Sequence, residues 1–184
     1  MMVAEDLCVS TLASLDGIIG NVPNWIGDLI DEEFQAESLR KLEPVDAMLM
    51  GRVSYEMFRG IFDGRTDTYA QRINGIRKLV FSSTLPEAAW SNAQLVRGDA
   101  VAEIAELRRR DGGELMVYGY GRLAESLLAH GLVDELRVIV FPRFAGSGTP
   151  LFREGRMGAF KLLDVKRSPN RTVALTYQPE NRHA

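Results

Sequence analysis

Three short, unbroken apolar runs recur along this chain, each closed by a small or hydroxyl-bearing residue. They are Ala47-Met48-Leu49-Met50 before Gly51, Leu79-Val80-Phe81 (opened by Lys78) before Ser82-Ser83-Thr84-Leu85-Pro86, and Leu115-Met116-Val117-Tyr118 before Gly119-Tyr120-Gly121. A strand with one face in water alternates apolar and polar residues. An unbroken run is covered on both faces, as in a parallel sheet flanked by helices. Two further strands are expected, Leu7 to Leu15 running into Asp16-Gly17 and Leu136 to Phe141, with a short one at Gln94 to Val96. Helical spacing fills the intervals. Ile30, Phe34, Leu39 and Leu42 share a face, with acids Asp31, Glu32 and Glu33 in the first turn and Arg40-Lys41 in the last, as the helix dipole favours. Helices are also expected from Val53, over Tyr69 to Ile76, from an Asp99 cap to Arg109, and through Leu123, Leu127 and Leu128 to Gly131. Gly20 to Asn24 and Gly60 to Thr68 read as loops. This alternation predicts an α/β domain with a mostly parallel central sheet. The end differs: Phe160 to Arg167 and Thr172 to Tyr177, joined by Ser168-Pro169-Asn170-Arg171, form an antiparallel hairpin.

The 184 residues suit a single domain over 1–184, which buries roughly 70% of the surface its unfolded chain exposes. Lys and Arg number 22 against 25 Asp and Glu, so no basic excess points to nucleic acid. Cys8, His130 and His183 are the whole Cys/His complement, too few for a four-ligand structural zinc site or an internal disulfide. A Ser-His-Asp triad would rest on His130 at a helix end, which discounts hydrolase chemistry. No run approaches the roughly 20 apolar residues of a membrane span. Glu5 and Asp6 stand where a signal peptide carries basic residues. A cytoplasmic protein is expected.

The three strand ends are the places for chemistry, because ligands of open α/β sheets bind outside the carboxyl ends of strands. A helix start offers free N–H groups and partial positive charge to a phosphate. Glycines Gly51, Gly119 and Gly121 let it approach, Arg52 and Arg122 supply cations, and Ser82, Ser83 and Thr84 supply hydroxyls. The combination suits a ligand with several phosphates, such as a dinucleotide. Gly119-Tyr120-Gly121 with Ala124 lies late in the chain, which argues against a standard Rossmann domain. A nucleotide-binding domain and a cofactor-free binding module both remain open on these residues alone.

Read in order, Ser14-Leu15-Asp16-Gly17, Gly51-Arg52-Val53-Ser54-Tyr55-Glu56, Lys78 to Leu85, Val117 to Leu123, Gly131 to Leu136, and Pro142 with Gly146 to Phe152 resemble the dihydrofolate-reductase-like superfamily. The likeness is nearest to the C-terminal reductase domain of RibD proteins of riboflavin biosynthesis and their free-standing relatives, and runs from about Val3 to Tyr177. The resemblance implies a three-layer αβα fold and NADPH as hydride donor. It implies cofactor contacts at Ala13, at Gly51, Arg52, Val53 and Ser54, at Ser82, Ser83 and Thr84, and at Gly119, Tyr120, Gly121, Arg122 and Leu123. Substrate contacts would come from Ser14, Asp16, Trp25 and Tyr118. It also implies a homodimer with the C-terminal strands near the contact.

Asp16 and Tyr118 are the candidate catalytic residues. Asp16 either orients ligand or forms a turn before Gly17. Tyr118 either donates a proton or walls the pocket, and a phenol near pKa 10 is a poor acid at neutral pH. Trp25 either stacks on a heterocycle or folds onto the core. Tyr55 reads as a buried helix residue, Cys8 as core, and Arg108 to Arg110 as a solvated helix end. Asp28, Asp31 and Glu32 are candidates for the acid that binds pterin in dihydrofolate reductases. RibD reductases carry an acid where Tyr118 stands, which leaves the substrate open. The reading is an NADPH-dependent reductase of a small heterocycle or carbonyl compound. The alternatives are the 5-amino-6-(5-phosphoribosylamino)uracil reductase of riboflavin biosynthesis and a silent nucleotide-binding protein.

Overall fold

The apolar runs become the middle of one eight-stranded sheet. The computed structural model describes residues 6–180, apart from 111, 156 and 169; Val3, Glu5, Pro169 and His183 of the sequence reading lie outside the described residues. The strands are β1 (Leu7–Ser14), β2 (Val45–Gly51), β3 (Arg77–Phe81), β4 (Ala93–Val96), β5 (Glu114–Tyr118), β6 (Glu135–Phe141), β7 (Ala159–Arg167) and β8 (Val173–Glu180). Their order is β4-β3-β2-β5-β1-β6-β8-β7. The first six are parallel, and β8 runs antiparallel to both β6 and β7. The expected mixed sheet with a C-terminal hairpin is the observed one.

Six helices connect the strands: α1 (Val22–Ile26), α2 (Glu32–Leu42), α3 (Arg52–Phe62), α4 (Thr68–Gly75), α5 (Ala100–Leu107) and α6 (Arg122–Ala129). One sheet face packs Leu7, Val9, Leu49, Leu115 and Val117 with Ile104 of α5 and Leu127 of α6. On the other, Met48, Met50 and Met116 pack with Leu42, Tyr55, Phe58 and Ile73 of α2, α3 and α4. Alternate residues of each inner strand thus feed opposite layers, as the strand period of two requires. Among the described residues no helix is long and apolar enough to cross a membrane.

Two segments depart from expectation. Gly60 to Thr68, read as loop, begins inside α3, which runs to the buried Phe62. Gly20 to Asn24, read as loop, contains the start of α1. Asn21 turns the chain at φ 52, Pro23 lies in the first turn, and Trp25 and Ile26 are buried. Turn-forming composition conceals this helix, because its stability comes from packing against Phe141 and Phe34 rather than from propensity.

Buried polar groups hold the β3–β4 connection. The Lys78 ammonium donates to the carbonyls of Asn74 (2.9 Å), Ile76 (2.8 Å) and Ser91 (3.1 Å) and lies 4.4 Å from the centre of the Trp90 ring. Burial draws its pKa down to about 8. The Trp90 amide donates to the Tyr55 hydroxyl at 3.1 Å, so Tyr55 is structural. Arg108 does not end a helix in solvent. It grips the Asp134 carboxylate at 2.6 Å, and Asp134 accepts the Leu7 amide at 2.8 Å.

A step in the sheet prepares the site. The β1–β5 ladder ends at Ser10 opposite Tyr118, whereas the β1–β6 ladder continues to Ser14 opposite Phe141. At about 3.3 Å per residue, β1 and β6 outrun β5 by about 13 Å and make a wall beside the lower ends of β2, β3 and β5.

Candidate active site

Apart from the five-residue α1, which Asn21 opens without a side-chain cap, the helix starts fall into two kinds. Asp31, Asp67 and Asp99 cap α2, α4 and α5 with side-chain acceptors for the orphan backbone N–H groups. Gly51 and Gly121 cap α3 and α6 and offer no side-chain acceptor. Both glycines have extended backbone, and a β-carbon on either would meet nothing within 4 Å. Two helix starts therefore face open space with first-turn donors unclaimed by a cap, which is the arrangement an anion seeks.

These starts are neighbours, because β2 and β5 are adjacent. A β-carbon on Gly119 would come 3.6 Å from the Ser54 hydroxyl. Gly119 also needs to be glycine for its own backbone, at φ +100. On the other side of β2, the end of β3 turns through Ser82 to Leu85. The Ser82 hydroxyl accepts from the Leu85 amide at 3.0 Å, and Arg52 Nη1 donates to the Thr84 hydroxyl at 3.1 Å. Gly51, Arg52, Ser54, Ser82, Ser83, Thr84, Gly119, Gly121 and Arg122 thus lie along three neighbouring strand ends. Leu123 instead packs toward the core, and Tyr120 turns its ring onto Phe152 at 5.7 Å. Ala13 is buried in β1, while Val53 is 80% exposed.

Sequence reasoning missed Arg97. Its guanidinium donates to the carbonyls of Ser83 (2.8 Å) and Leu85 (2.7 Å) and so fixes the shape of the hydroxyl turn. The available signal was an arginine directly after a short strand and before Gly98-Asp99.

The wall is knitted through Asp16. Its Oδ1 accepts from the Ser14 hydroxyl (2.5 Å) and the Ala145 amide (2.9 Å), and its Oδ2 from the Gly146 amide (2.8 Å). The Leu15 amide donates to the Arg143 carbonyl at 2.7 Å, and the Ile19 amide to the Thr149 carbonyl at 2.8 Å. The Ser14 hydroxyl, helped by the Ala145 and Gly146 amides, lowers the Asp16 carboxyl to about 2. An ionised Asp16 carries no proton to donate at neutral pH. It is a clasp between the β1 exit and the loop after β6.

Trp25 is folded onto the core. It is 8% exposed, donates its indole N–H to the Gly20 carbonyl at 2.9 Å and meets Phe141 edge-on. None of the acid candidates supplies a buried carboxylate. Asp28 is exposed and pairs with Arg143 at 2.7 Å, Asp31 caps α2 through the Phe34 amide, and Glu32 is exposed. His130 is exposed at the end of α6, its ring nitrogen 2.8 Å from the Ser126 carbonyl.

Residues 6–174 match the family described as the RibD C-terminal domain. The chain belongs to this family. Bacillus subtilis YyaP is 25% identical over 178 residues, covering 94% of this chain and 92% of the relative. A putative riboflavin biosynthesis protein from Shewanella sp. PV-4 superposes with TM-score 0.73 at 24% identity, covering 96% of this chain and 99% of that one. Enterococcus faecalis dihydrofolate reductase, solved with NADP(H), superposes with TM-score 0.63 at 16% identity, covering 96% and 97%. The fold is dihydrofolate-reductase-like.

In this RibD C-terminal domain the residue before Gly119 is Tyr118. Its hydroxyl lies 3.3 Å from that of Tyr69, and its ring meets Phe58 edge-on at 4.9 Å. Burial raises the pKa of both phenols. Tyr118 is therefore neutral at neutral pH and a weaker acid than a free phenol.

Proposed function

We propose that this member of a reductase family is an NADPH-dependent oxidoreductase acting on a small heterocyclic or carbonyl compound. The observation that carries the reading is the pair of glycine-capped helix starts on adjacent strands, flanked by a hydroxyl turn and two arginines. NADPH, when bound, supplies hydride from its nicotinamide ring. The amides opening α3 and α6 bind the pyrophosphate, with Gly51, Ser54, Gly119 and Gly121 keeping the approach clear. Arg52, Ser82, Ser83 and Thr84 grip the adenosine 2′-phosphate, and Arg97 holds their turn in shape. Ala13, Ser14 and Asp16 form the wall beside the nicotinamide. Asp16 is ionised and burial makes the Tyr118 phenol a weaker acid than a free one, which favours water as the source of the proton.

Titration with NADPH and NADH, followed by thermal shift and tryptophan fluorescence, tests the cofactor site. A ligand specific to the folded state raises its stability by about 2.7 kcal/mol at a hundred times its Kd. Arg52→Ala removes one charge-assisted contact of about 1.5–3 kcal/mol. It should weaken NADPH about 10- to 100-fold and NADH by less than about threefold. Equal losses would move the adenosine end elsewhere.

The protein is proposed to be a cytoplasmic homodimer joined near β7. This outer strand leaves Leu162, Leu163 and Val165 about half exposed, and an apolar edge strand is a pairing surface. Light scattering during gel filtration should return twice the 20.5 kDa chain mass, and Leu163→Lys should return a monomer.

A further inference from the structure

The two faces of the sheet are filled differently. On the α5 and α6 side one continuous core crosses β1, β2, β5 and β6 through Val9, Leu49, Val117 and Val138. On the other side the core is in two parts. One holds Met48, Met50 and Met116, with Tyr69 and Tyr118 against it. The other holds Ile139 and Phe141, with Leu12 against it. β1 lies between β5 and β6, so the division falls on the β1 residues that face this side. By the strand period of two these are Cys8, Ser10, Leu12 and Ser14. The division opens to solvent where β5 ends. Leu12 alone among the residues of β1 is not buried, and Tyr118, Gly119 and Tyr69 are half-buried as well.

Ser10 stands at the foot of that opening. It pairs with Tyr118 in the β1–β5 ladder, and its carbonyl accepts the Gly119 amide at 2.7 Å, which ties it to the glycine cradle. Ser10 is 5% exposed, and among the described residues its hydroxyl has no hydrogen-bond partner. The other hydroxyls nearby are matched. Ser14 donates to Asp16 at 2.5 Å, the Tyr118 and Tyr69 hydroxyls lie 3.3 Å apart, and Ser38 of α2 bonds Tyr69. A buried hydroxyl without a partner costs stability, unless a ligand supplies the partner. Arg137, the neighbour of Ser10 on β6, is taken up by Glu114 and Glu135. The polar groups left along this division are neutral hydroxyls, which donate to a carbonyl oxygen without needing a counter-charge.

We propose that Ser10 is a substrate-binding residue: its hydroxyl and that of Tyr118 hold the carbonyl edge of a flat, neutral ring compound at the foot of the cleft. This deepens the reductase reading and rests on it. A ring without a carbonyl leaves both hydroxyls unmatched in a dry site and is rejected for that reason.

The test uses protein saturated with NADP+, so that no probe is reduced, and measures affinity by calorimetry. The probes are two matched pairs, lumazine with pteridine and 2-methyl-1,4-naphthoquinone with 2-methylnaphthalene. Only the first of each pair carries carbonyls. The parent should bind at least one carbonyl compound, at least about tenfold more tightly than its partner. Ser10→Ala should weaken that compound about tenfold and leave the carbonyl-free partner within about threefold, so that the preference collapses. Tyr118→Phe should cost a similar factor. Ser10→Ala should hold NADPH as the parent does, and its melting temperature should hold or rise, because the change deletes an unmatched buried hydroxyl. A serine kept for folding would instead lower the melting temperature when lost and leave probe affinities alone. Three results each overturn the proposal: no binding of either carbonyl compound, no preference over the carbonyl-free rings, or an unchanged Kd in Ser10→Ala. Failure of the parent protein to bind NADPH or NADP+ overturns the reductase reading and this inference with it. Cofactor binding with an indifferent Ser10→Ala overturns this inference alone.

Discussion

Gly121→Asp should leave the protein at least as stable as the parent while abolishing useful NADPH affinity. Gly121 has the extended backbone of an N-cap, and its missing side chain would project into empty space. An aspartate there can bond the first-turn amides of α6, as Asp31, Asp67 and Asp99 do for their own helices. Relative to glycine such a cap gains only a few tenths of a kcal/mol, so the melting temperature should hold or rise slightly. The same carboxylate removes the donors a pyrophosphate would use and sets a like charge against it. A loss of about 2.7 kcal/mol, or a hundredfold in Kd, is expected. Gly51→Asp on α3 should behave alike. Thermal denaturation and NADPH titration of the two variants check both halves at once. A variant that binds NADPH normally would show that these helix starts are not the anion site.

The second large effect belongs to Asp16→Asn. An amide keeps one acceptor oxygen but loses the charge that organises Ser14, Ala145 and Gly146. The loop after β6 should loosen, and kcat/KM for any accepted substrate should fall about 10- to 100-fold. NADPH affinity should fall far less, because the proposed phosphate contacts lie on other strands and only the nicotinamide wall is touched. The pH dependence of stability supplies a separate readout. The Asp16 carboxyl titrates at about 2 when folded against an ordinary 3.8. Its contribution is therefore complete above about pH 4 and disappears as pH falls toward 2. Glu37, lowered to about 2 mainly by the Lys166 ammonium, titrates in the same window but is common to both proteins. The stability difference between parent and Asp16→Asn should be constant above pH 4 and shrink below it. A difference that grows on acidification would contradict the clasp.

The sheet was legible because burial on both faces leaves a mark in consecutive residues, as in Ala47 to Met50 and Leu115 to Tyr118. The glycines of the proposed anion cradle were legible for the same reason: Gly51 and Gly119 follow those runs directly. What lay hidden depends on partners distant in sequence. Asp16 reads as a turn-former beside Gly17, and nothing local indicates that its carboxylate meets Ala145 and Gly146. Arg97 has no neighbour that marks it as the brace of the Ser82 turn. Trp25 sits among turn-forming residues, so its place against Phe141 is decided by the tertiary core.

The position of β1 has a consequence for how the chain is made. Leu7 pairs with Leu115 and Cys8 with Glu135, so β1 lies between two strands that are synthesised after it. At roughly 5–20 residues per second, β1 waits on the order of ten seconds for its flanks. During that interval Leu7, Val9 and Leu12 have no sheet to enter, and the nascent chain can assemble only β2, β3 and β4 with their helices. Closure around β1 then joins the two halves in one step over a long loop, which favours slow folding.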